Sequence, residues 1–84
     1  MRAREKLLRR MQQAPRSITF EEVDNLLKSE GWRVVNVAGS HFLYDKQGHK
    51  LLVVKPHGSH KTLHPKGVKK ILKAIEEAWG SEGN

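Results

Sequence analysis

Five histidines carry most of the chemical reach of this sequence, because it has no cysteine to act as nucleophile, thiolate ligand or disulfide partner. His41 closes the tripeptide Gly39-Ser40-His41. Glycine there permits a turn that brings the backbone close to a ligand, and Ser40 adds a hydroxyl and a backbone amide. His41 then opens a strand-like run, which would hold its ring on a rigid element near the sheet edge. Imidazole exchanges protons near neutral pH, so this placement suits general acid–base work. On residue type alone, a histidine that begins a strand is more often structural or simply exposed. The tripeptide recurs as Gly58-Ser59-His60, but that copy lies in a lysine-flanked loop with no aromatic strand after it. It reads as phosphate-binding surface, and the first copy is the candidate centre.

His57, His60 and His64 have the spacing H-x₂-H-x₃-H. A zinc site needs a fourth ligand, and no Cys, Asp or Glu stands nearby in sequence, so no metal and no other cofactor is expected. Trp32 and Trp79 could stack on unpaired bases. Trp32 follows a helix-stopping glycine and Trp79 continues an apolar helical stripe, so both are read as packing residues.

Charge points to the substrate. Sixteen Lys and Arg oppose nine Asp and Glu, for a net charge of +7. Between Lys46 and Lys73 there are eight lysines and no acidic residue, and the first sixteen residues carry six basic side chains against Glu5 alone. Segregation of this kind attracts polyanions, above all nucleic acid. A phosphodiester would need a base for the 2′-hydroxyl proton, an acid for the leaving oxygen and cations for the phosphate. His41, His57, Lys55 and Lys61 can fill those roles. With no long apolar run there is neither a membrane span nor a signal-peptide core, and a cytoplasmic protein is expected.

The elements that must position these groups are readable. Residues 2–13 are helix formers that stop at Ala14-Pro15, a short helix that needs something to dock on. Thr19 and Glu22 form a capping box for a second helix over about 20–30, with Ile18 and Val23 as its staple, and Gly31 ends it. Arg33–Val37, Phe42–Lys46 and Leu51–Lys55 read as strands, with a polar turn at Asp45-Lys46-Gln47-Gly48. Pro65 starts a last helix capped by His64, whose apolar positions Val68, Ile71, Leu72, Ile75 and Trp79 repeat at helical spacing to Gly80. The result is an α+β domain: a three-stranded antiparallel sheet with helices on one face, in the αβββα order of double-stranded-RNA-binding folds, plus an N-terminal helix. The other sheet face stays open to a partner, since the strands are apolar on both sides in places. The division is a basic helical extension at 1–16, an RNA-acting domain at 17–80 and a polar tail at 81–84.

The capped helix, Gly31-Trp32, the run Gly39-Ser40-His41-Phe42-Leu43-Tyr44, the hairpin, Pro56-His57 and the proline-started last helix together resemble the HicA family of toxins from toxin–antitoxin pairs, over about Thr19 to Ile75. The resemblance implies a double-stranded-RNA-binding-like fold and endoribonuclease activity on mRNA. It implies one catalytic histidine, here His41, and neutralisation by a HicB-type antitoxin that covers the toxic surface. His57 is then the candidate acid–base partner, with Ser40, Lys55, Lys61, Lys66, Lys69 and Lys70 as substrate-binding residues. Phe42 stands where many members carry a second histidine or polar residue, and the leader at 1–16 extends beyond the minimal family core. Two other readings share the basic surface: a non-catalytic RNA-binding module of the same fold, and an interaction protein that docks an acidic partner.

Overall fold

The computed structural model describes the backbone of residues 3–57 and 61–82, with side chains between 4 and 78. Along the chain run α1 (Ala3–Gln13), a 3₁₀ turn (Pro15–Ser17), α2 (Phe20–Ser29), β1 (Arg33–Ala38), β2 (His41–Lys46), β3 (His49–Val54) and α3 (Pro65–Glu82). The strands pair antiparallel in the order β1-β2-β3, so β2 is central. This is the α+β, αβββα arrangement that the sequence implies, with the extra helix in front. The last helix does not stop at Gly80 but continues to Glu82, into residues expected to form a polar tail.

Local chemistry explains α2. The Thr19 side chain accepts the Glu22 amide at 3.2 Å while the Glu22 carboxylate accepts the Thr19 amide at 3.1 Å, which is the expected capping box. At the other end Trp32 N–H donates to Leu27 C=O and Gly31 N–H to Lys28 C=O, a Schellman closure that needs the left-handed φ of +97° at Gly31. Trp32 is thereby turned into the core, where it is 2% exposed.

Both hairpins are tighter than expected. Ala38 pairs with His41 and Lys46 with His49, leaving two-residue loops. In the first, Gly39 has positive φ and Ser40 does not, the pattern of a type II′ turn; in the second, Gln47 and Gly48 both do, the pattern of type I′. These turns match the twist of the strands, so pairing runs to the last residue on each side.

The helices cover one face of the sheet. Tyr44, Leu51 and Val53 point into a core with Val23, Leu26 and Leu27 of α2 and Val68, Ile71 and Ile75 of α3. Tyr44 Oη donates to Asp24 Oδ1 at 2.6 Å, tying β2 to α2. Burial, then this bond, then the Asp24 charge push the Tyr44 hydroxyl pKa far above its ordinary value.

α1 does not project outward. It packs on α3 and the 3₁₀ turn, with Met11 fully buried and Leu7 and Leu8 half-buried. Arg4 grips Glu30 through two hydrogen bonds. Arg10 reaches Glu22 at 2.6 Å and the Ser17 carbonyl at 2.9 Å. Two of the leader's cations are thus committed to internal carboxylates. Among the described residues, no helix is long and apolar enough to cross a membrane.

Candidate functional site

His41 is placed by the pleat. Phe42 packs on Phe20 of α2, ring centroids 4.9 Å apart, which fixes the helix-facing side of β2. Alternation then sends His41 and Leu43 to the opposite, open face. His41 is exposed there, between Ala38 of β1 and Val54 of β3, its pairing partners on either side. It stands at the end of the central strand, so both neighbouring strands hold its backbone. Gly39, at φ +62°, makes the turn before it, and Ser40, half-buried in that turn, accepts the Lys55 amide at 2.7 Å through its carbonyl.

The surface around His41 is apolar. Leu52 and Val54 share its face and are each about half exposed, while Val37 of the edge strand β1, also half exposed, pairs with Phe42 and so lies on the other face. β1 is bulged between Val34 and Asn36, so Val35 is an unpaired extra residue. Farther along, Arg33, Asp45 and Lys50 form one cross-strand row, and Asp45 binds Lys50. The Lys50 hydrogen bond holds the Asp45 carboxyl below its ordinary pKa.

Beyond Val54 the chain leaves the sheet and opens a basic cleft. Its walls are Arg16 from the 3₁₀ turn, Val54 to His57 from the exit of β3, and Thr62 to Lys66 at the start of α3. None of these lining residues is acidic. Two contacts close the cleft behind: Leu63 N–H donates to Ile18 C=O at 2.8 Å, and Thr62 bridges to Thr19. The Lys55 ammonium sits 5.5 Å from the Phe20 ring centroid, a cation–π contact that restrains it. His64 Nδ1 accepts the Lys66 amide at 3.1 Å, which is the capping role expected of it.

The expected residues therefore fall into three groups. His41 and Ser40 lie at the end of the open face; Lys55, His57 and Lys66 line the cleft, and Val54 belongs to both surfaces. Lys69 and Lys70 are exposed on α3 one turn beyond Lys66, and Lys61 is exposed but does not line the cleft. The second tripeptide, Gly58-Ser59-His60, lies outside the described residues, and so does the Trp79 side chain. Among the described residues no group of three His, Cys, Asp or Glu side chains is arranged to hold a metal; His60, one of the three histidines considered, is not among them.

Two features escaped the sequence reading. Arg16 was counted only as leader charge, and nothing local signals that the turn after Pro15 folds against the start of α3. Phe42 also has a reason to be aromatic, because its side chain faces Phe20, away from His41. Position 42 therefore does not supply a proton donor beside His41.

A model of the family described as HicA toxin of bacterial toxin–antitoxin matches residues 20–76. That span begins with α2 and ends within α3, and it includes His41, Lys55, His57 and Lys66 but neither α1 nor Arg16. No curated protein and no solved structure matches the chain.

Proposed function

The chain belongs to the HicA toxin family of bacterial toxin–antitoxin pairs, and from that premise we propose that it is a metal-independent endoribonuclease acting on mRNA in the cytoplasm, with His41 as its catalytic residue. The observation that carries this reading is the position of His41. It is exposed on the open sheet face, backed by two paired strands, and it adjoins a cleft lined by cations. A strand of RNA can lie across Val54 with phosphates on the cleft side and a scissile bond at His41.

In the proposed step His41 removes the 2′-hydroxyl proton, and the 2′-oxygen bonds to the adjacent phosphorus. The bond to the 5′-oxygen breaks, and that oxygen takes a proton from an acid, leaving a 2′,3′-cyclic phosphate and a 5′-hydroxyl end. His57 is the candidate acid, two residues past Lys55 and its bond to Ser40. Lys55, Lys61, Lys66, Lys69 and Lys70 offset phosphate charge, and Ser40 offers a hydroxyl near the attacked group. A HicB-type antitoxin is the proposed partner. Leu52 and Val54 leave an apolar surface beside His41, and a protein that buries it also closes the active site.

The test is cleavage of a purified mRNA in the presence of chelator by wild-type and His41→Ala proteins, with RNA affinity measured in parallel. Loss of a general acid–base group lowers rate by about 10²–10⁴-fold, while affinity stays close to that of wild type. A His41→Ala protein that cuts at the wild-type rate removes His41 from the chemistry. Wild-type protein that binds RNA without cutting it is a binding module, and one that does neither is an interaction protein.

A further inference from the structure

The cleft next to His41 has a composition that phosphate neutralisation alone does not require. Its lining holds the cations Arg16, Lys55 and Lys66, but also Val54, Pro56 and Pro65, two rigid rings and a branched side chain. Resting on the ribonuclease reading, we propose that this cleft is a nucleotide subsite for single-stranded RNA, in which Arg16 and Lys66 hold a phosphate and the attached base lies against Val54, Pro56 and Pro65.

Arg16 belongs to this subsite although it lies before the family-matched span of 20–76. Its position is fixed from both sides. On one side Arg10 holds the Ser17 carbonyl at 2.9 Å, and Ser17 N–H and Oγ both return to Ala14 C=O, at 3.0 and 2.8 Å. On the other, the Leu63-to-Ile18 hydrogen bond and the Thr19–Thr62 bridge draw the segment after Arg16 against the approach to α3. Arg16 and Lys66, fifty residues apart in sequence, thus face one cleft. The docked α1 is the scaffold that keeps Arg16 there, through Arg10.

The class of ligand follows from the two kinds of wall. A nucleotide joins an anion to a flat ring, and an unstacked base can rest against apolar side chains as well as aromatic ones. In a duplex the bases are stacked and paired inside the helix, so only an unpaired strand offers one to such a surface. The groove volume of about 870 Å³ falls within the ~300–1,000 Å³ of small-ligand sites. Val54, shared between the cleft and the His41 row, places the subsite next along the strand from the bond to be cut.

The experiment uses the full chain carrying His41→Ala, so that RNA stays intact. Arg16→Ala is added to one sample and Arg9→Ala to another, removing one positive charge each; Arg9 is exposed on α1 and does not line the cleft. Binding of a short labelled single-stranded RNA is followed by anisotropy over a series of salt concentrations. Arg16→Ala weakens it about tenfold, as loss of one charged contact should, and flattens the log–log salt slope by about 0.7. Arg9→Ala changes affinity less than about twofold, as a distant surface charge does. Equal losses for the two variants mean that only net charge counts, and the subsite is overturned. In a second arm the His41→Ala protein is titrated with adenosine 5′-monophosphate, ribose 5-phosphate and inorganic phosphate, with amide shifts read at Val54, Leu63 and Lys66. Tighter binding of the nucleotide supports the base contact; three equal affinities overturn it. If wild-type protein never cleaves RNA, the ribonuclease reading fails while these binding results still decide the subsite.

Discussion

Replacing Tyr44 with phenylalanine isolates one interaction that joins the site-bearing strand to the helical layer. Tyr44 is fully buried and is the chain's one tyrosine. Its hydroxyl donates to Asp24 at 2.6 Å, and Lys28 holds the other oxygen of that carboxylate at 2.9 Å. A hydrogen bond to a charged group contributes about 1.5–3 kcal/mol. Asp24 keeps Lys28 and is 20% exposed, so the loss falls at the low end, about 1.5 kcal/mol. For a domain of this size that is a drop of about 6–12 °C in Tm.

The same bond predicts an alkaline limb. Burial first, and Asp24 second, raise the Tyr44 pKa above its ordinary value of 10.0. A raised folded-state pKa means that the stability carried by the neutral phenol is complete below the unfolded value. It is lost as pH rises toward the folded one. Ultraviolet titration reads this tyrosine alone, so the phenolate band of the native protein should appear only at pH well above 10.0, together with loss of the far-ultraviolet circular dichroism. Tyr44→Phe should shift that alkaline unfolding. A phenolate that forms in the ordinary range with the fold intact, or a Tyr44→Phe protein within about 0.5 kcal/mol of wild type, would refute the reasoning.

Thr19→Ala removes the α2 cap and should cost about 1 kcal/mol in chemical denaturation. Glu22 sits below its ordinary pKa chiefly because Arg10 hydrogen-bonds it. Its contribution is therefore present above the unfolded value near 4.5 and is lost as pH falls through the lowered folded value, so Glu22→Gln should flatten the acid limb of a stability-versus-pH curve. Leu52→Asp alters an exposed position on the open face and should change stability by less than about 0.5 kcal/mol. The same change should weaken capture by the antitoxin at least about tenfold in a pull-down titration; full retention of the complex would place the antitoxin elsewhere.

Much of the fold was legible because its signals are local. The capping box at Thr19 and Glu22, the stop at Gly31 and the stripe Val68, Ile71 and Ile75 each act within a few residues, and each appears in the structure where the pattern puts it. The turn at Gln47-Gly48 was legible in kind, while its two-residue length was not, since strand pairing extends until the turn geometry stops it. Gly39-Ser40-His41 was legible as a turn leading into a strand, and the resemblance singled out its histidine.

The sequence by itself determined the residue types at the site, the order of elements and the positive charge, all properties of neighbours along the chain. Which side of the sheet His41 faces was decided by the contact of Phe42 with Phe20, which sets the phase of an alternation that β2 alone leaves open. The fate of the leader was decided by Met11 burying against α3 and by Arg4 and Arg10 finding Glu30 and Glu22. That docking carried Arg16 to the start of α3 and built the cleft from residues fifty positions apart. Such placements depend on long-range burial and ion pairing, which a linear pattern does not encode, so only the folded chain could show a basic cleft beside an exposed histidine.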